Sequence, residues 1–200
     1  MLVLPKRHVT NVLTDLFGAA IVAQVNSMAL LPSESVIEGF DVASAATSFA
    51  HVDAMFRIAG EVAGFAVVDP GFKQKYLPCI DQVSDPCLMG FVTGFGRRAV
   101  RRPLSAGEVT QYVTLIKSQP TTTLGVKVFI WALLQSPSFL YRIETGGGPA
   151  ADHENVYMLT SHEIATRLSF LLTGSGPDDP LLAAAENDSL LNDQVLAAHA

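Results

Sequence analysis

Arg97, Arg98, Arg101 and Arg102 form the one unusual concentration of charge in this sequence, and no acidic residue between Cys87 and Glu108 offsets them. Guanidinium forks match the paired oxygens of carboxylates and phosphates. The cluster therefore describes one of two things. It is a patch for an anion, an acidic polysaccharide or a partner, or it is the cationic half of a set of internal ion pairs. The chain carries 19 Asp and Glu residues, enough to engage at least two of the four arginines, and the internal reading is favoured. On a continuous helix Arg97 would stand one turn from Arg101 and Arg98 one turn from Arg102, giving two adjacent rows.

The other reactive side chains group less well. Cys79 and Cys87 are the only cysteines and enclose Ile80-Asp81-Gln82-Val83-Ser84-Asp85-Pro86. Neither the CxxC spacing of a zinc ribbon nor the CxxCH of covalent haem attachment occurs. The pair is either a disulfide across a turn or two reduced, half-buried thiols. His162-Glu163 begins like the zinc motif HExxH, but Thr166 stands where the second histidine belongs. Glu163 is explained instead as the acidic member of a capping box with Thr160. The five histidines (His8, His51, His153, His162 and His199) are scattered and pair with no serine or cysteine nucleophile. Gly94-Phe95-Gly96 lacks the third glycine and the preceding strand of a dinucleotide fingerprint. Gly90 and Gly94, four apart, permit close approach of another helix. Asp41, Asp178 and Asp179 could contribute to a calcium site, but Asp178-Asp179-Pro180 reads equally as a helix start. Trp131 sits in a leucine-rich helix and reads as core. These patterns assign no catalytic, cofactor-binding or metal residue.

Helices are what must position these groups. Val9, Val12, Leu13, Leu16 and Phe17 form one stripe between Pro5 and Gly18. A second helix is predicted from about Thr47 to Val68, with Val52, Met55, Phe56, Ala59, Val62, Ala63 and Ala66 inward. A third is capped by Ser84 or Asp85, carries Leu88, Phe91, Val92 and Phe95, and is stopped by Pro103. Ser105 and Glu108 form a capping box for a fourth, Thr121-Thr122-Thr123 opens a fifth, and Thr160 and Glu163 start a sixth; shorter helices follow Pro180 and Asn192. Leu31-Pro32-Ser33 and Gly39-Phe40-Asp41 read as loops, and strand-like alternation is nearly absent. The prediction is an all-α fold, an irregular bundle of about six to eight helices with long loops. Expected units are an N-terminal helical domain (1–75), a central one with the arginine segment (76–145), a glycine-rich linker (146–156) and the start of a C-terminal helical domain (157–200).

Composition sets the outer bounds. At 49% hydrophobic and 16% charged residues the chain can build a core and is not of disordered type. A net charge of −6 argues against a nucleic-acid binder. Despite a mean hydropathy of +0.33, the apolar stretches Leu16–Val25 and Ala59–Val68 fall well short of the roughly 20 residues a membrane span needs. Asp15 spoils the N-terminus as a signal peptide.

Several blocks together resemble a known family. Leu4-Pro5-Lys6-Arg7-His8-Val9-Thr10-Asn11 with Asp15-Leu16-Phe17-Gly18, the Leu31-Pro32 and Gly39-Phe40-Asp41 segments, Phe95-Gly96-Arg97-Arg98-Ala99-Val100-Arg101-Arg102-Pro103-Leu104, Leu134-Gln135-Ser136-Pro137-Ser138-Phe139-Leu140-Tyr141-Arg142, and Leu159-Thr160-Ser161-His162-Glu163 with Arg167-Leu168-Ser169 occur in order along the chain. They resemble the secreted planctomycete and myxobacterial proteins built from "planctomycete surface" domains of unknown function, which are often found with c-type cytochrome domains. His8-Val9 and Val42 depart from the family pattern. The resemblance implies export to the periplasm or cell surface, and through export it favours a Cys79–Cys87 disulfide. It also implies relatives that continue beyond residue 200, so the chain reads as a fragment. As partners it implies the remaining domains and a c-type cytochrome; haem c would reside elsewhere in full-length relatives, with no cofactor in this chain. Two functions are compatible with it. The first is a non-catalytic scaffold or docking module; the second is part of an extracellular polymer-acting or redox enzyme gripping anionic groups through Arg97, Arg98, Arg101 and Arg102.

Overall fold

Helix α1, Lys6–Phe17, starts after Pro5, whose φ of −65° suits a helix entry, and stops at Gly18, whose φ of +87° excludes most side chains. In a computed structural model of the chain, the described residues are 2–32, 36–37, 40–41, 48–79, 84–150 and 153–199, with backbone alone at 36–37, 40–41 and 153–155. Ser33 and Gly39 of the expected loops, and the side chain of Asp41, lie outside them. Among the described residues the fold is all-α as predicted, with eleven α-helices and three two-stranded pairings. The excess over the expected number comes from short elements: α2 (Ala19–Val22), α4 (Pro70–Tyr76) and α8 (Pro137–Leu140). Asp69-Pro70-Gly71 both ends α3 (Phe49–Ala66) and starts α4, because the Asp69 carboxylate accepts from the Phe72 N–H at 2.7 Å.

Four larger helices frame the main body: α3, α5 (Asp85–Val100), α6 (Ala106–Lys117) and α7 (Thr122–Leu134). Each starts at the side-chain oxygen of Ser48, Ser84, Ser105 or Thr121, which accepts an otherwise orphaned N–H. The pairing β1 (Leu2–Val3) with β4 (Tyr141–Arg142) ties the start of the chain to the end of this body. Separately, β2 (Val36–Ile37) pairs antiparallel with β3 (Phe40–Asp41). The glycine-rich segment carries another, β5 (Gly148–Ala150) against β6 (His153–Met158). Beyond it lie α9 (Ser161–Leu172), α10 (Asp179–Glu186) and α11 (Asp193–Ala198).

One apolar cluster runs from Leu4 through Phe139 and takes in Phe170 of α9. Phe95 is its centre. This ring meets Phe17 of α1 at 5.5 Å, Phe72 and Tyr76 of α4 at 5.7 and 5.2 Å, and Phe129 of α7 at 6.2 Å. A smaller cluster of Ala165, Leu181, Ala185 and Leu190 holds α9 to α10. Cys79 and Cys87 form a disulfide, with Cα atoms 6.2 Å apart, so the thiol alternative is set aside. Among the described residues, no helix is long and apolar enough to cross a membrane.

Two details differ from the periodicity. Val52 and Phe56 were expected to face inward but are about half exposed, while Ala54 and Ile58 are buried. Alanines carry the inner face of α3 and let it approach α7 closely. Phe56 instead covers Trp131 at the rim, rings 4.9 Å apart, and its carbonyl accepts from Trp131 Nε1 at 3.0 Å. Trp131 is therefore half-buried at the rim of the core. Gly90 and Gly94 give no close helix approach: a Cβ at either would meet nothing within 4 Å. The tight glycine is Gly125, where a Cβ would stand 2.3 Å from the Ile116 carbonyl oxygen of α6.

Opposite signs are therefore expected for two identical substitutions. Gly125→Ala forces α6 and α7 apart, and this overpacking exceeds alanine's helix preference of about 1 kcal/mol for a net loss of about 1–2 kcal/mol. Gly90→Ala, in open space within α5, gains up to about 1 kcal/mol. Thermal unfolding of the two variants beside the parent protein checks both.

Candidate functional site

Helix α5 ends at Val100, and this divides the arginine cluster. Arg101 takes a left-handed conformation, φ 63°, so it and Arg102 leave the helix axis. The two rows expected from helical spacing do not form. A left-handed non-glycine residue costs about 1–2 kcal/mol, and no glycine marks the turn. What holds it there is the bonding of its own side chain.

Arg97 and Arg98, on the last turn of α5, reach across to α10. Arg97 donates from Nη1 to Glu186 Oε1 at 2.7 Å and from Nη2 to Asp179 Oδ1 at 3.4 Å. Arg98 forms a two-pronged pair with Asp179: Nε donates to Oδ1 at 2.9 Å and Nη2 to Oδ2. The Arg98 hydrogen bonds hold the Asp179 carboxyl below its ordinary range, and Asp179 in turn raises Arg98. Asp178 accepts from the Leu181 N–H as the cap of α10. Both aspartates are thereby engaged, and among the described residues no set of three or more metal-ligating side chains converges.

Arg102 pairs with the capping box of α6, donating from Nη1 and Nη2 to Glu108 at 3.0 and 2.8 Å. Hydrogen bonding from Arg102, reinforced by the Ser105 N–H, lowers the Glu108 carboxyl to about 2. Arg101 differs from the other three. It is 3% exposed and has no carboxylate partner among the described residues. Its guanidinium donates to four backbone carbonyls, those of Ala99 (3.3 Å), Ser138 (2.6 Å), Phe139 (3.2 Å) and Tyr141 (2.9 Å). Three of these lie at the C-terminal end of α8 and its continuation into β4, where helix carbonyls lack internal donors and favour a cation. The Phe170 ring of α9 stands 5.7 Å from both Arg101 and Arg142. Burial first, then the charges of Arg142 and Arg102, lowers the Arg101 guanidinium to about 10; it is a cation at neutral pH.

Beside Arg101 a cavity of about 380 Å³ opens between the end of α5, β4 and the first turn of α9, lined among others by Arg102, Ser138, Ile143, His162 and Glu163. His162 is one of its walls; its Nε2 is buried with no hydrogen-bond partner among the described residues, and burial lowers its pKa. Burial pushes the Glu163 carboxyl up, but N–H donors from Thr160, Thr145 and Gly146 outweigh it and leave the group below its ordinary range. Glu163 also completes the capping box with Thr160. Sequence reasoning gave no role to Arg142, Glu144 or Arg167, although Arg167 donates to Glu144 at 3.2 and 2.5 Å and joins α9 to the segment after β4. Arg142 and Arg167 were visible only as positions inside the family-like blocks, and Glu144 lay outside them.

The Arg102–Glu108 pair predicts an acid dependence of known sign. The folded-state pKa of Glu108, about 2, lies below its ordinary 4.5. Its contribution is therefore full above the ordinary value and is lost as pH falls towards 2. The pair is partly open to solvent, so the contribution is up to about 1 kcal/mol. Glu108→Gln should lower stability at neutral pH and flatten the loss between pH 4.5 and 2, read from urea midpoints across that range.

Comparison with known families falls on the same segments. The model PSD5, a protein of unknown function (DUF1595), matches residues 87–144, and the model PSD4, a protein of unknown function (DUF1592), matches residues 159–200. No match to a curated protein or to a solved structure was found. The arginine and Gln-Ser-Pro blocks fall in the first matched segment and the Arg167 block in the second. Residues 87–144 thus match the PSD5 domain and residues 159–200 the PSD4 domain, both of unknown function, in agreement with the family that the sequence blocks resemble.

Proposed function

We propose that this chain is a non-catalytic helical module of an exported, cytochrome-associated protein, in which the arginine block fastens two domains into one docking body. The observation that carries this reading is where the arginines go. Arg97 and Arg98 of the PSD5 segment pair with Asp179 and Glu186 of the PSD4 segment, and Arg167 of PSD4 returns a pair to Glu144 of PSD5. Exposed ion pairs contribute little to stability singly. A two-pronged pair anchored on helix ends fixes orientation more than it adds energy. In this reading residues 146–156 are the joint between the two units, and the arginines set the angle at which they meet.

Export is supported by the disulfide, since such bonds persist in oxidising compartments, and by the family resemblance. A c-type cytochrome domain would bring its own haem. The competing enzyme reading needs open guanidinium groups to grip an acidic polymer, whereas Arg97, Arg98 and Arg102 are bonded to carboxylates.

Analytical ultracentrifugation of the chain with the c-type cytochrome domain of a full-length relative tests docking directly. Haem absorbance is expected to sediment with the chain, and Arg98→Ala with Asp179→Ala should weaken that co-sedimentation by disturbing the angle between the units. Haem sedimenting alone, or turnover of a substrate abolished by one polar substitution, would contradict the proposal.

A further inference from the structure

A buried cation normally has an anion beside it, because desolvating an unpaired charge is expensive. Arg101 has none. Among the described residues its bonds all go to carbonyls, and the charges acting on it are those of Arg142 and Arg102, both repulsive. Carbonyl dipoles offset part of the cost but supply no net negative charge. Arg101 is one of the residues that line the cavity of about 380 Å³, which is within the size range of small-ligand pockets.

The remaining walls restrict what fits. His162 lines the cavity, and its Nε2 is buried with no hydrogen-bond partner among the described residues. The Glu163 carboxylate, which would otherwise repel an anion, is covered by the N–H groups of Thr145 and Gly146 at 2.6 and 3.1 Å and by Thr160. Arg102 is already neutralised by Glu108, and Arg142, which acts on Arg101, has no ion pair among the described residues, so the Arg101 and Arg142 cations outnumber the Glu163 carboxylate by one. Val100 and Ile143 make part of the lining apolar. One unmatched charge with apolar walls suits a monoanion on a hydrocarbon body. We propose that this cavity binds a small organic carboxylate, its oxygens directed towards Arg101 and His162.

This site goes beyond the scaffold reading and stands apart from it, since ligand binding without turnover leaves the docking body intact. Differential scanning calorimetry of the whole chain, titrated with sodium hexanoate and sodium benzoate at constant ionic strength, tests it. Inorganic phosphate and chloride serve as comparison arms. A saturable rise in Tm is expected with at least one carboxylate and not with chloride. Thr166→Trp, which fills the cavity from α9 without touching Arg101's carbonyl bonds, should abolish the rise. Arg101→Lys, which loses the fork, should weaken apparent affinity by about tenfold or more; if that variant fails to fold, Thr166→Trp decides alone. No saturable rise with either carboxylate, a rise that persists in folded Thr166→Trp, or phosphate matching the carboxylates would each overturn the assignment.

Discussion

The structure turns on one buried guanidinium. Arg101 sits where α5 must stop, and its four carbonyl bonds join that stop to the end of α8 and the start of β4. Since β4 pairs with β1, the same side chain indirectly fixes the beginning of the chain. A lysine in its place would keep the charge but not the planar fork that reaches several carbonyls at once. The left-handed backbone at Arg101 is the local cost of aiming the side chain inward, and the bonds made by its nitrogens offset it.

From that fixed point the other arginines acquire different tasks. Arg97 and Arg98 remain on α5 and face α10, Arg102 turns back to the cap of α6, and Phe170 of α9 packs between the end of α5 and β4. Two polar contacts add to the junction at its far side: Asn11 Nδ2 donates to the Gly174 carbonyl at 3.2 Å, and Ser175 Oγ donates to Asp15. The C-terminal segment has only a small apolar cluster of its own. Phe170, the ion pairs of Arg97, Arg98 and Arg167, and these two hydrogen bonds tie it to the rest of the described residues.

Much of this was legible from local sequence and some was not, for identifiable reasons. The capping boxes at Ser105–Glu108 and Thr160–Glu163 were readable because both partners lie within one turn. The stripe of α1 was readable because leucine, valine and phenylalanine contrast with their neighbours. On α3 half of the buried residues are alanine, which contrasts weakly, so larger Val52 and Phe56 drew the predicted face away from the true one. Helices α2, α4 and α8 are too short to show a period. The break at Arg101 had no glycine to announce it, and pairs such as Arg97 with Glu186, 89 positions apart, leave no trace in a single sequence. The cysteines showed that a bridge was possible; their distance in the fold shows that it forms.

Side-chain hydrogen exchange followed by NMR on the guanidinium groups addresses the central claim most directly. If Arg101 is a buried cation held by backbone carbonyls, its Nε and Nη protons exchange far more slowly than those of Arg57, which pairs with Asp53 on the open surface of α3. Exchange at Arg101 as fast as at Arg57 would contradict the account.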